Sequence, residues 1–140
     1  MKEVNVIYWS STGNTQAMAE AVGAGVEEAG GKANVMEVSA ADVSMLKDAE
    51  SFALGASAMG DEELDAEMDD FVTAVEGICA GKTVGLFGSY DWGDGEWMRT
   101  WCDRAKDAGA ELVEDEGLIC NNTPDDEGLA ACRELGGKLV

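Results

Sequence analysis

The chain contains no histidine, a single proline, and only 9 Lys plus Arg against 29 Asp plus Glu. Without histidine there is no imidazole general acid or base, no Ser-His-Asp triad and no imidazole metal ligand. The cysteines, Cys79, Cys102, Cys120 and Cys132, form no C-x-x-C pair, so their spacing does not read as a zinc or iron–sulfur site. They read as reduced core residues of an intracellular chain. No apolar run approaches the length of a membrane span. The N-terminus, Met1-Lys2-Glu3-Val4-Asn5-Val6, has neither a signal-like apolar core nor a small-residue cleavage site, so a cytoplasmic location is expected. A formal charge of −20 repels phosphodiester backbones and anionic lipid, which argues against nucleic acid and membrane as partners.

What remains is ordinary globular material. A hydrophobic fraction of 46% over 140 residues excludes disorder as the reason for the acidity and fits one domain over 1–140. Val4 to Trp9 and Phe52 to Ala56 are nearly continuous apolar runs, as strands buried on both faces require. Ala33 to Val38, Thr83 to Phe87 and part of Glu111 to Cys120 supply three more strands, the last broken by Glu114-Asp115-Glu116. Between them lie helical stripes: Met18, Val22, Val26 and Ala29; then Leu64, Met68, Phe71, Val72 and Val75; then Trp97, Met98, Trp101, Cys102 and Ala105. A short helix is expected over Asp42 to Lys47. A last helix carries Leu129, Cys132, Leu135 and Leu139, with Thr123 as its expected cap and Pro124 at its first position. Strand–helix alternation repeated five times predicts an α/β fold, a parallel sheet covered on both faces. In such sheets ligands bind at the carboxyl ends of the strands.

Three loops lie at that edge. Ser10-Ser11-Thr12-Gly13-Asn14-Thr15 joins a buried strand to a helix N-terminus, where free amides and the helix dipole favour an anion. It offers four hydroxyls and an amide but no Lys or Arg. A Walker A phosphate loop needs its Lys, so a terminal phosphate held by neutral donors fits better than a nucleoside triphosphate. Ser57-Ala58-Met59-Gly60-Asp61-Glu62 offers a polarizable thioether, a glycine whose peptide tolerates two orientations and two carboxylates. Taken alone, an ordinary turn before an acidic helix start accounts for it better. Gly88-Ser89-Tyr90-Asp91-Trp92-Gly93-Asp94-Gly95 sets two aromatics among glycines, a stacking platform at the ligand edge. Jointly the loops describe a phosphate, a polyol and a flat heterocycle between Met59 and Trp92. Flavin mononucleotide (FMN) fits this description; a plain nucleoside monophosphate fits less well.

These loops carry a family resemblance along essentially the whole chain. Tyr8 to Thr15, Ala58 to Glu62 and Phe87 to Met98 resemble, in order and spacing, the phosphate loop and two flavin loops of the short-chain flavodoxins. The resemblance implies a flavodoxin-like three-layer sandwich with a five-stranded sheet of order 2-1-3-4-5, bound FMN and one-electron transfer. By matching position it implies that Ser10, Ser11, Thr12, Gly13, Asn14 and Thr15 hold the phosphate. Met59 flanks the inner ring face and Trp92 the outer, Glu62 bonds the pyrimidine edge, and Gly60 is the peptide that flips. Ser57, Ala58, Asp61, Ser89, Tyr90, Asp91 and Gly93 complete the flavin loops, and Asn122 approaches the ribityl chain. Two departures stand out. Asp91 occupies a position where the family often has glycine, and Asp tolerates left-handed backbone better than most residues. Ser11 stands where a close relative has glycine.

The expected activity is that of a low-potential electron carrier. Seven of the ten residues from Asp61 to Asp70 are acidic, and Asp91, Asp94 and Glu96 follow in or after the third loop. Such a rim disfavours added negative charge on the ring and steers basic redox partners, reductases and low-potential acceptor enzymes, to it. The alternative is an FMN-dependent NAD(P)H or quinone reductase on the same fold, which Trp92 over the outer face would obstruct. A flavoprotein activator of ribonucleotide reductase lacks the Met59-to-Glu62 style of loop. A non-redox flavin store is the third rival. Nothing in the sequence demands more than a monomer.

Overall fold

The computed structural model describes residues 2–11, 13–59, 63–91 and 93–140. The elements run β1 (Glu3–Trp9), α1 (Asn14–Glu28), β2 (Lys32–Glu37), two short 3-10 turns (Val38–Ala40 and Val43–Leu46), β3 (Ser51–Ala56), α2 (Ala66–Glu76), β4 (Thr83–Tyr90), α3 (Glu96–Asp107), β5 (Glu111–Leu112), β6 (Leu118–Asn121) and α4 (Asp126–Gly137). All pairings are parallel and the order is β2-β1-β3-β4-β5, with β6 also on β4.

The side-chain period of two along a strand sorts the core into two layers. Ile7, Phe52, Leu54, Val84 and Leu86 face α2 and α3, meeting Met68, Val72, Val75, Trp97, Met98 and Trp101. Val4, Val6, Tyr8, Ala53 and Phe87 face α1 and α4, meeting Met18, Val22, Val26, Cys132, Leu135 and Leu139. Trp97 and Trp101 are core residues, as the helical stripe predicts.

The fifth sheet position is shared by two strands. Val84 pairs with Leu112 and Phe87 with Leu118. Between these pairs β4 advances three residues and its partner six, so the acidic segment Glu114-Asp115-Glu116 bulges out as expected. Gly117 closes the bulge at φ 74°, with its N–H donating to the Glu114 carbonyl at 3.0 Å.

Three boundaries differ from the sequence expectation. β4 runs on through Gly88, Ser89 and Tyr90, because β6 supplies ladder partners (Ile119, Cys120 and Asn121) that no local signal announces. The 42–47 segment is a 3-10 turn, with the Asp42 carboxylate accepting from the Ser44 N–H at 2.9 Å. The last helix is capped by Asp125, not Thr123: Asp125 Oδ1 accepts from the Gly128 N–H at 2.7 Å, which leaves Pro124 ahead of the cap. Losing an N-cap side chain costs about 1 kcal/mol. Asp125→Ala is therefore expected to lower the free energy of unfolding by about that amount, while Thr123→Ala leaves it unchanged; urea unfolding of the two variants separates the assignments.

Candidate functional site

The carboxyl ends of β1, β3 and β4 meet in a network of buried hydroxyls. Thr15, in the first turn of α1, is fully buried. Its Oγ1 lies 2.8 Å from Ser57 Oγ and 3.0 Å from Ser89 Oγ, and accepts from the Ser89 N–H at 3.2 Å. One side chain thus joins the three loops that the sequence singles out separately. The loops are also tied through backbone: the Ser57 N–H donates to the Trp9 carbonyl at 3.2 Å, and the Ala58 N–H to the Ser89 carbonyl at 2.9 Å. The Ser11 N–H reaches Ser57 Oγ at 3.5 Å, and the Gly13 N–H donates to Ser10 Oγ at 3.0 Å.

Above this network is a cavity of about 120 Å³ lined by Ser11, Asn14, Ser57, Ala58, Ser89, Tyr90, Asp91 and Asn122. All eight are among the residues picked out from the sequence. The cavity is polar and open to the surface, with room for a small anion. The floor is the N-terminus of α1, where Gly13 at φ 92° is the cap and brings no side-chain acceptor. Among the described residues no side chain caps the first amides of this helix, and such amides favour an anion. Among the described lining residues there is no Lys or Arg, and the charged one is the exposed Asp91. The described donors are neutral hydroxyls, the side-chain amides of Asn14 and Asn122, and helix N–H groups, which suits a phosphate.

The remaining predicted residues fall around this cradle. Met59 follows β3, is 40% exposed, and donates its N–H to the Glu63 carbonyl at 3.0 Å, closing the second loop. An exposed thioether one residue beyond the cavity-lining Ala58 is a surface for a flat apolar ring. Gly93 and Gly95 take φ 90° and 93°, and Arg99 grips the third loop through the Asp94 carbonyl and carboxylate at 3.0 and 2.9 Å. Tyr90 is half-buried and leans on Trp97, ring centroids 5.6 Å apart and tilted 48°; it is a supported wall of the cavity more than a free platform. Thr12, Gly60, Asp61, Glu62 and Trp92 lie outside the described residues.

The left-handed tolerance invoked for Asp91 is used elsewhere. Asn122 is the non-glycine among the described residues with positive φ, 58°. Its N–H donates to the Tyr90 carbonyl at 2.7 Å, and the neighbouring Asn121 side chain donates to the same oxygen at 3.3 Å. Sequence reasoning missed Asn121. Its signal is the register that sets it opposite Tyr90, which a sequence alone does not display.

A family model described as Flavodoxin matches residues 6–136. The chain belongs to the flavodoxin family. Over 138 residues it is 42% identical to the flavodoxin of Clostridium beijerinckii, spanning 98% of this chain and 99% of that one. The flavodoxin of Megasphaera elsdenii is 41% identical over 134 residues, 95% of each chain. The solution structure of two-electron reduced Megasphaera elsdenii flavodoxin superposes with a TM-score of 0.88 at 39% identity, covering 96% of this chain and 98% of that one. The expected sheet order is the observed one. Flavodoxins are FMN-carrying electron-transfer proteins that serve redox partner proteins and are not enzymes, and this chain is one of them. No helix among the described residues is long and apolar enough to cross a membrane.

Proposed function

We propose that residues 1–140 act as one cytoplasmic, monomeric FMN domain that works as a low-potential one-electron carrier. The phosphate is assigned to Ser10, Ser11, Thr12, Gly13, Asn14 and Thr15, with Ser57 and Ser89 beneath it through the Thr15 hydroxyl. Asn122 is assigned to the ribityl chain. Met59 and Trp92 flank the ring, with Ala58, Gly60, Asp61, Glu62, Tyr90, Asp91 and Gly93 along its edges. The observation that carries this reading is the cation-free hydroxyl cavity at the N-terminus of α1, lined by residues of all three loops and Asn122.

Bound FMN supplies one- and two-electron redox chemistry. The chain decides which charge state is tolerated. A phosphate held only by neutral donors keeps its negative charge uncompensated within the protein. The carboxylates of the second and third loops add to the same field. A carboxylate ~10 Å from an added negative charge opposes it by about 1 kcal/mol at an effective dielectric of ~40, or tens of millivolts for one electron. The same field draws in basic partner surfaces. A basic patch on the partner is the complementary feature, since the chain carries −20 overall.

The test is a stepwise redox titration of the FMN-loaded protein followed by its visible spectrum. Two separated one-electron steps support the carrier; a single two-electron step, or steady NAD(P)H oxidation by the isolated protein, favours the reductase. Asp61→Asn with Asp91→Asn is expected to raise the lower of the two potentials by tens of millivolts. Added salt is expected to slow electron transfer from a basic reductase, as screening shortens the Debye length. A fixed potential and a salt-independent rate would show that these carboxylates are solvated surface and nothing more.

A further inference from the structure

The third loop is held at its two ends by different means. It leaves β4 at Tyr90 and enters α3 at Glu96. At the β4 end the hold is mostly backbone. The Tyr90 carbonyl accepts from the Asn122 N–H at 2.7 Å and from the Asn121 side chain at 3.3 Å, and the Ser89 carbonyl accepts from the Ala58 N–H at 2.9 Å. At the α3 end the hold includes a long side chain. Arg99, in the first turn of α3, folds back toward the loop. Its Nη1 donates to the Asp94 carbonyl at 3.0 Å and its Nη2 to Asp94 Oδ1 at 2.9 Å. Its backbone N–H donates to the Gly95 carbonyl at 3.1 Å.

The local sequence explains why such a hold is needed. Gly93 and Gly95 flank Asp94, both at positive φ, and glycine has more backbone freedom to lose than any other residue. Gly95 caps α3 without a side-chain hydrogen bond. Arg99 takes Asp94 by its peptide oxygen and its carboxylate together, so it fixes the plane of the peptide as well as the side chain. A guanidinium can do this because its N–H groups form a rigid planar fork, whereas an ammonium is a point charge. Arg99 is also the only basic residue between Lys82 and Arg104. The pair is exposed, 55% for the Arg99 side chain and 78% for that of Asp94. Exposed ion pairs add little to folding stability. A fork placed on a two-glycine turn at the surface acts on the loop more than on the fold.

We propose that Arg99 is a positioning residue for the flavin: by gripping the peptide and carboxylate oxygens of Asp94 it sets the shape of the third loop before the ring arrives. This rests on the assignment of the ring to Met59 and the third loop, with Trp92 on its outer face. Arg99 acts through the loop backbone and is not itself assigned to the ring. Asp91, three residues before Asp94, lines the cavity, so a loop pinned at Tyr90 and at Asp94 leaves little slack at the cavity wall. Without the fork the loop samples more shapes, and binding must order it again. Preorganisation lowers that ordering cost, and fixing the backbone of a single residue corresponds to about tenfold in affinity.

The test compares the FMN-loaded protein with its Arg99→Lys, Asp94→Asn and Trp92→Ala variants. FMN release on dilution is read from flavin fluorescence, and visible circular dichroism of the loaded proteins reads the asymmetry around the ring. Arg99→Lys keeps the charge and loses the fork. It is expected to weaken FMN binding about tenfold and to diminish the visible dichroic bands, with far-ultraviolet ellipticity unchanged. Asp94→Asn loses the charge and keeps an oxygen acceptor at both places of the grip, so it is expected to stay within about twofold of the parent. Parent-like binding and bands in Arg99→Lys overturn the proposal. So does weaker binding in Asp94→Asn than in Arg99→Lys, which would mean that charge and not the fork decides. Trp92→Ala tells two failures apart. Parent-like bands in Trp92→Ala remove the ring assignment and the proposal with it; altered bands there, beside a parent-like Arg99→Lys, remove the role of Arg99 alone.

Discussion

Gly136→Ala is expected to cost about 3 kcal/mol of folding free energy, at or above the upper end of ordinary overpacking penalties. α1 and α4 touch backbone to backbone. A Cβ on Gly136 would lie 2.0 Å from the Val22 carbonyl oxygen and 2.9 Å from the Val26 nitrogen. A Cβ on Gly25 meets the Arg133 carbonyl oxygen at 1.9 Å from the opposite side. No flexible side chain stands there to yield, so one whole helix must move. Gly137 is the control, because a Cβ there finds nothing nearer than 3.9 Å. Gly137→Ala is expected to be neutral or mildly stabilising, by up to the ~1 kcal/mol that separates the two residues in helix propensity. Urea midpoints measured for both variants check the pair. Equal midpoints would mean that the helices are not seated this closely.

The second large effect is expected at Thr15. Thr15→Val keeps the shape of the side chain and removes its hydroxyl. Ser57 Oγ, Ser89 Oγ and the Ser89 N–H then lose their shared partner in a buried setting. A buried polar group left unpaired costs about 1–3 kcal/mol, and part of that cost is relieved by rotation of the two serines. A stability loss of about 2 kcal/mol is expected. FMN affinity is expected to fall at least tenfold, since ~1.4 kcal/mol is a factor of ten. Thr15→Ser retains the oxygen and should stay close to the parent in both respects. Fluorescence titration with FMN, beside urea unfolding, gives the two numbers. Unchanged affinity in Thr15→Val would show that the cradle does not rest on this hydroxyl.

The parts of the molecule that repeat locally were readable from the chain. The apolar runs of β1 and β3 and the Met18–Val22–Val26 stripe needed only the local pattern of each element. The site was readable for a related reason: a parallel sheet gathers the carboxyl ends of its strands, so three polar loops after three buried strands had to converge. What escaped were facts that need two distant segments at once. β4 extends past Phe87 because β6 completes its ladder. Gly25 and Gly136 carried no signal in the sequence, yet they mark where two backbones meet. Thr15 read as one hydroxyl among four, and only the fold sets it between Ser57 and Ser89. Cys120 read as core beside the other cysteines, but its strand lies at the groove next to α4 and leaves it half-open. At the last helix Asp125 took the cap from Thr123, a choice between adjacent side chains that tertiary position decides.

The uneven sharing of aromatic rings between the two core layers has an experimental consequence. Trp97 and Trp101 are buried beneath α2 and α3, and Trp9 packs against that same layer, while no described tryptophan packs in the layer beneath α1 and α4. Emission from these three indoles is thus a one-sided reporter, attentive to the α2/α3 half and nearly blind to parting of α1 from α4. Ellipticity at far-ultraviolet wavelengths samples all four helices. Superimposable denaturation curves from the two signals would establish that both halves come apart in a single cooperative event.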